Sequence, residues 1–306
     1  MSDIKNSILE TVGRTPLVRI NKLFRKPGVE ILAKVEGFNP CGSVKERIAV
    51  SMLEGAEREG TLKPGMTLVE SSSGNTGIGL AMAAAVKGYK CLITMAKKAS
   101  RERRQYIRAF GADLCLVDGG SDQAWDKADE IAASDPEKYF RIHQYRMKEN
   151  SETHYRTTGP EIWEQTGGRV DVFVATLGTT GTVVGCSRFL REKNPKVRIV
   201  AVEPTPQNEQ EGIRNLSSQR TPEIWDPGSV DERMISEDEP SFRLARELAR
   251  KEGIFAGTSS GSALWAAIEQ AKRLDRGTVV VILPDSGSRY LSTKLFEFAD
   301  DPQVGA

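Results

Sequence analysis

The chain has 306 residues, enough for two domains or one large one at about 150 residues per domain. Its 43 Lys and Arg nearly cancel its 42 Asp and Glu, which argues against a nucleic-acid binder relying on a strong basic surface but leaves room for a local patch. Hydrophobic residues at 39% and charged residues at 28% fit a globular chain rather than a disordered one, and no apolar run approaches the roughly 18 residues of a membrane span.

Short β-branched runs predict strands at 17–20, 30–35, 67–70, 91–94, 113–117, 171–175, 197–202 and 278–283. Helical spacing predicts helices near 43–59, 75–87, 100–110, 122–134, 153–166, 181–193, 239–252 and 260–274. The alternation reads as an α/β chain of βαβ units with a mostly parallel sheet. The continuously apolar Val279-Val280-Val281-Ile282-Leu283 is the pattern of a strand buried on both faces. The region 203–238, rich in Pro, Gln, Asn, Glu and Arg, breaks the rhythm and reads as a long surface excursion of the kind that often carries function. No flexible linker is visible, so a domain boundary is expected in a compact connection near 145–152.

Only two histidines occur, His143 and His154, which excludes a His-rich zinc site and leaves no candidate metal centre. The four cysteines, Cys41, Cys91, Cys115 and Cys186, form no CxxC motif. Cys91, Cys115 and Cys186 sit among apolar or small residues and read as buried hydrophobes, whereas Cys41 lies in a Gly-rich segment. The N-terminus, Met1-Ser2-Asp3-Ile4-Lys5-Asn6, lacks the pattern of a secretory signal, and a reduced, cytoplasmic protein is expected.

Four segments could carry chemistry. In Asn39-Pro40-Cys41-Gly42-Ser43-Val44-Lys45-Glu46-Arg47, Ser43 and Glu46 form a capping box that starts a helix. Lys45 falls in its first turn, where the helix dipole disfavours an ammonium and lowers the lysine pKa. A neutral amine suits imine chemistry, although a lysine taken alone is more often a solvated one. Ser71-Ser72-Ser73-Gly74-Asn75-Thr76-Gly77 lies between a strand and a helix and can present backbone N–H groups to an anion; a capped polar turn explains it equally well. Gly178-Thr179-Thr180-Gly181-Thr182, again at a strand-to-helix turn, resembles a cup for one phosphate, with a structural turn as the even alternative. Gly257-Thr258-Ser259-Ser260-Gly261 matches the G-x-S-x-G of a nucleophile elbow, but both histidines precede it, so the hydrolase order fails. The basic cluster Lys97, Lys98, Arg101, Arg103, Arg104 and Arg108 reads as a solvated face.

Taken together and in this order, the four segments resemble the cysteine synthase and cystathionine β-synthase family, the fold type II pyridoxal-phosphate enzymes. The resemblance runs from Gly13-Arg14-Thr15-Pro16-Leu17-Val18 through Thr158-Gly159-Pro160-Glu161-Ile162-Trp163 to Arg289-Tyr290-Leu291-Ser292-Thr293. It implies two three-layer αβα domains: a smaller mobile one over 38–147, and a larger one from 1–37 plus 148–306. It implies pyridoxal 5′-phosphate as cofactor, with Lys45 matching the lysine that carries it covalently. Ser72, Ser73, Gly74, Asn75 and Thr76 match the loop that grips the substrate carboxylate, with Gln144 as a second contact. Asn75 also matches the residue that bonds the cofactor's ring hydroxyl. Gly178, Thr179, Thr180, Gly181 and Thr182 match the phosphate loop, and Ser259 the serine facing the pyridine nitrogen. Gly212 matches a glycine of the active-site loop.

Ser72 and Glu46 stand where many members have Thr and Asp. The Gly-Thr-Thr-Gly-Thr loop and Gly212-Ile213-Arg214 resemble the B-type cysteine synthases. The longer members' regulatory tail is not expected here. The resemblance implies a transferase that makes L-cysteine from O-acetyl-L-serine and sulfide or thiosulfate, acting on small molecules as a homodimer without nucleic acid or membrane. Alternatives are O-phosphoserine as donor, with Arg214 facing its phosphate, and a β-elimination of the cystathionine β-synthase or serine dehydratase kind.

Overall fold

The computed structural model describes residues 4–72 and 74–297. Strands β1 (Leu17–Arg19) and β2 (Val29–Val35) are followed by helix α1 (Lys45–Arg58). Then come β3 (Thr67–Ser71), α2 (Asn75–Lys87), β4 (Lys90–Ala96), α3 (Arg101–Ala109), β5 (Asp113–Val117), α4 (Ser121–Ser134) and β6 (Tyr139–Arg141). Helices α5 (Glu149–Thr153) and α6 (Gly159–Gln165) flank a π-helical turn at His154–Thr158. The chain continues through β7 (Val172–Thr176), α7 (Gly181–Lys193), β8 (Arg198–Pro204), β9 (Glu232–Ser236), α8 (Asp238–Glu247), α9 (Thr258–Arg273) and β10 (Gly277–Leu283).

The strands form two sheets. One has six strands in the order β1-β2-β10-β7-β8-β9, the other four in the order β5-β4-β3-β6. Every pairing is parallel except β1 with β2. Helices cover both faces of the larger sheet, which explains the unbroken apolar run in β10. Val279, Val281 and Leu283 pack with Leu244, Ala263 and Ala267 on the α8–α9 side. Val280 and Ile282 pack with Ile162, Val183 and Leu190 on the α6–α7 side. In the smaller sheet Leu68, Ile93 and Met95 pack with Ile48, Met52 and Leu53 of α1 and Ile78 and Met82 of α2.

All eight predicted strands are present. Two further strands, β6 and β9, lie outside the prediction, and both are edge strands. An edge strand buries one face only and tolerates charge, so its apolar signal is weak. In β9 Met234 and Ser236 face inward while Ile235 between them is 54% exposed. Thus part of the 203–238 excursion is sheet.

Within each sheet the parallel strands end together, and the loops that follow β3, β4, β5, β6, β7 and β8 converge on one cavity of about 600 Å³. Ligands bind at the carboxyl ends of parallel strands because helix N-termini and backbone donors gather there.

Candidate active site

The Lys45 segment is held by hydrogen bonds from both directions. Arg289 donates through Nη1 to the Gly42 carbonyl at 2.8 Å and through Nη2 to the Cys41 carbonyl. The Val44 N–H reaches the Pro284 carbonyl at 2.8 Å. Ser43 donates from its backbone N–H (2.8 Å) and its hydroxyl (2.7 Å) to the Glu46 carboxylate. Its Oγ accepts the Lys45 N–H at 3.2 Å; only the Glu46 half of the predicted capping box forms, and α1 begins at Lys45 after Val44, which makes no side-chain cap. Lys45 lines the cavity and, among the described residues, its Nζ has no hydrogen-bond or ion-pair partner. Its pKa lies below the usual lysine range, as the sequence suggested. Burial is the dominant cause, opposed by Asp285, Glu46 and Glu36. Burial also pushes Glu46 up to about 7, tempered by Arg289 and Ser43.

Cys41 is buried against Met82, and burial lifts its thiol to about 12. A thiol protonated at neutral pH makes a poor nucleophile.

The second segment joins β3 to α2. The Ser72 hydroxyl accepts the Gly74 N–H (3.1 Å) and the Gly77 N–H (3.0 Å). Gly74 has φ +153°, and a Cβ there would run into the Arg103 side chain at 2.2 Å. Thr76 donates to Gln144 Oε1 at 2.6 Å, and Gln144 Nε2 donates to the Ser71 carbonyl at 2.7 Å. Buried Glu70 fixes both loops: it accepts the Ser71 N–H at 2.7 Å and the Gln144 N–H at 3.0 Å, with Arg141 paired at 2.8 Å. Asn75 donates through Nδ2 to Asp285 Oδ2 at 2.7 Å, leaving its Oδ1 buried and unpaired. Ser73, predicted as a carboxylate contact, lies outside the described residues.

The third segment joins β7 to α7. Thr180 takes the left-handed conformation (φ +70°), rare for a β-branched residue, and its Oγ1 is buried without a partner. No side chain caps the first turn of α7. Gly181 packs so closely on α5 that a Cβ would fall 1.8 Å from Asn150 Oδ1. The Thr182 hydroxyl lies 3.2 Å from His154 Nε2, and His154 Nδ1 lies 2.9 Å from the Thr158 hydroxyl. A helix start without a side-chain cap, an orphaned hydroxyl and tight glycine packing suit a phosphate group.

Ser259 is buried in the first turn of α9, where the Gly257 N–H bonds the Asp285 carbonyl at 3.2 Å. Among the described residues neither histidine bonds it: His154 is engaged as above, and His143 packs edge-on against Trp125 at 4.9 Å.

Of the predicted residues, Lys45, Ser72, Asn75, Thr76, Gln144, Gly178, Thr179, Gly212 and Arg214 line the cavity. Gly74, Thr180, Gly181, Thr182 and Ser259 lie outside its lining; Thr180, Gly181, Thr182 and Ser259 are buried. Arg214 is 4% exposed and fully engaged. Nη1 donates to Asp122 (3.2 Å) and the Arg220 carbonyl (2.8 Å), and Nη2 to Ser121 and Tyr145 (both 3.3 Å).

Two residues of the site lie outside the prediction. Asp285, 2% exposed, accepts from Asn75 and from the Tyr290 hydroxyl, both at 2.7 Å. It follows β10 as the other loops follow their strands, and that position was the available signal. Arg103 corrects the solvated reading of the basic cluster. It is 1% exposed, paired with Glu211 and seated over Tyr290 at 4.8 Å. Lys97, Lys98, Arg101 and Arg108 are exposed as expected.

Comparison with known proteins decides what this arrangement belongs to. The family described as "Pyridoxal-phosphate dependent enzyme" matches residues 8–285. The chain is 43% identical to cysteine synthase B of Pseudomonas aeruginosa over 293 residues, covering 95% of this chain and 97% of that one. It is 45% identical to cysteine synthase B of Salmonella typhimurium, covering 95% and 96%. This chain belongs to the cysteine synthase family of pyridoxal-phosphate dependent enzymes. Among solved structures, the fold is similar to a cysteine synthase from Entamoeba histolytica (TM-score 0.92, 38% identity, covering 97% of this chain and 92% of that one). It is equally similar to an O-ureido-L-serine synthase (TM-score 0.92, 39% identity, covering 98% of each). The family's cofactor is pyridoxal phosphate, and the unpaired Thr180 hydroxyl before α7, with the unpartnered amine of Lys45, fits it. Among the described residues no helix is long and apolar enough to cross a membrane, and no cluster of ligating side chains could hold a metal.

Proposed function

We propose that this protein performs β-replacement on O-acetyl-L-serine, giving L-cysteine with sulfide and S-sulfo-L-cysteine with thiosulfate. The observation that carries the reading is the unpartnered, burial-shifted amine of Lys45, in one cavity with the carboxylate-type loop at 72–76 and the start of the 178–182 loop. Gly178 to Thr182 would hold the cofactor phosphate, Asn75 the ring hydroxyl, Ser259 the ring nitrogen and Lys45 the covalent link. When bound, the cofactor supplies an electron sink for the charge that develops at the substrate Cα.

The remaining work falls to the chain. Ser72, Ser73, Gly74, Asn75, Thr76 and Gln144 hold the substrate carboxylate, with Gly212 and Arg214 on the side of the leaving group. Lys45, once free of the cofactor, would be neutral because burial disfavours its ammonium. It removes the Cα proton, and acetate leaves Cβ with the electron pair of the broken C–O bond. The sulfur nucleophile then forms the new Cβ bond, and Lys45 returns the proton to Cα. Ser259 offers a hydroxyl rather than a carboxylate at the ring nitrogen, which keeps the sink weak and favours expulsion of acetate over a long-lived carbanion. The segment 38–147, which contains the whole four-stranded sheet, acts as the smaller domain and closes over bound substrate, shielding it from water. A homodimeric, cytoplasmic enzyme is the form this reading carries.

Incubating the yellow, cofactor-loaded protein with O-acetyl-L-serine and sulfide tests the proposal. Cysteine is the expected product. Pyruvate in its place overturns the reading in favour of β-elimination, and a colourless protein that takes up no pyridoxal phosphate removes its basis.

A further inference from the structure

We propose that Asp122, the carboxylate paired with the cavity-lining Arg214, determines donor specificity by making that side of the cavity refuse an anionic substituent. The inference rests on the O-acetylserine reading and deepens it. Four cations line the cavity: Lys45, Lys98, Arg103 and Arg214. Lys45 belongs to the reacting end, and Lys98 is exposed. The two arginines are buried, and each already has a carboxylate. Arg103 is paired with Glu211, and Arg214 with Asp122 at 3.2 Å.

The Arg214 pairing is built to stay. Its guanidinium lies over the Tyr145 ring at 5.0 Å, and Tyr145 stacks on Trp125 at 4.4 Å with the planes 7° apart. Asp122 sits in the first turn of α4, a 14-residue helix whose positive end holds the carboxylate. Its second oxygen accepts the Arg220 N–H at 3.3 Å, and the Arg220 guanidinium is taken up by Asp126 at 2.9 Å. Asp122 thus occupies the donors that an incoming phosphate would need: Arg214 Nη1 and the Arg220 amide.

A phosphoryl substituent reaching Arg214 must either displace Asp122 or share the guanidinium with it. Sharing brings two anions together in a partly buried place, where screening is weak. An acetyl ester brings no charge and meets no such barrier. The carboxylate comes from the first turn of α4, whereas Arg214 comes from the loop after β8, so selectivity arises only when the two regions close on each other.

The test uses cofactor-loaded wild type, D122N and the double variant D122N/R214Q. Asparagine keeps the size and the helix-start preference of Asp122 while removing its charge. In D122N the kcat/KM ratio of O-phospho-L-serine to O-acetyl-L-serine should rise at least tenfold, and the double variant should lose the gain. Calorimetry with O-phospho-L-serine gives a readout that does not depend on turnover: the Kd should fall at least tenfold in D122N. A ratio and a Kd within twofold of wild type overturn the proposal, as does a wild type that prefers O-phospho-L-serine. If D122N does not fold, D122S repeats the test. If wild type makes no cysteine from O-acetyl-L-serine, the functional reading fails, and the calorimetric comparison still decides the role of Asp122.

Discussion

The turns that open α2 and α7 occupy equivalent places in the two sheets, and each starts a 13-residue helix at the end of a parallel strand. They differ in how their polar groups are satisfied. At α2 the chain supplies its own partners: Ser72 takes two backbone N–H groups, Gln144 takes Thr76, and Asp285 takes the Asn75 amide. At α7 no side chain caps the helix, and Thr180 is both left-handed and unpaired. The first turn is held by the protein's own side chains, with only Asn75 Oδ1 left unpaired, whereas at the second the Thr180 hydroxyl has no partner and the proposed cofactor phosphate would complete it. The start of α1 follows the first pattern, with Ser43, Glu46 and Arg289 supplying the partners.

The comparison can be broken at several points. The largest effect is expected from Lys45→Ala, which removes the proposed covalent link and the proposed proton carrier together. Cysteine formation should fall by about 10³-fold or more, in line with general-base and covalent roles, and the imine absorbance should vanish. Gly181→Ala forces a Cβ onto Asn150, and overpacking of this kind costs about 1–3 kcal/mol. Thermal unfolding should register that loss, with weaker uptake of pyridoxal phosphate beside it.

Glu46 tests the self-satisfied start of α1 through pH. Its folded pKa of about 7 lies above the ordinary 4.5, so its contribution is fully present below about 4.5 and is lost as pH rises through 7. Glu46→Gln stays neutral throughout, so its stability relative to wild type should rise by about 3 kcal/mol across that window. Denaturant midpoints measured from pH 4 to 8 check the sign.

The smallest changes set the two turns against each other. Thr180→Gly relieves a left-handed residue and should stabilise the cofactor-free protein by about 1 kcal/mol. Ser72→Ala removes a cap and should destabilise it by about 1 kcal/mol. If both variants shift the melting temperature in the same direction, the contrast between the turns is wrong.

Much of the fold was legible in the sequence because parallel strands buried on both faces leave unmistakable apolar runs, as at 279–283. Strands β6 and β9 were not, because an edge strand carries only half of that signal. The four segments were legible only as a set: each alone had an ordinary turn or cap as an equal explanation, and their order along the chain carried the family resemblance. Asp285 and Arg103 were not. Each acts through partners far along the chain, Asn75 for one and Glu211 for the other; only the place of Asp285 at the end of β10 marks it locally, and nothing marks Arg103.

The amino-acid order alone was enough for the α/β architecture and for the family that the four segments resemble. These rest on local chemistry: periodicity, capping and turn residues. Only the tertiary structure decided why the lysine pKa is low, which arginine is buried, and which carboxylate neutralises Arg214. Those outcomes depend on desolvation and on charges brought within a few ångströms from distant segments, and both exist only after the two sheets have packed.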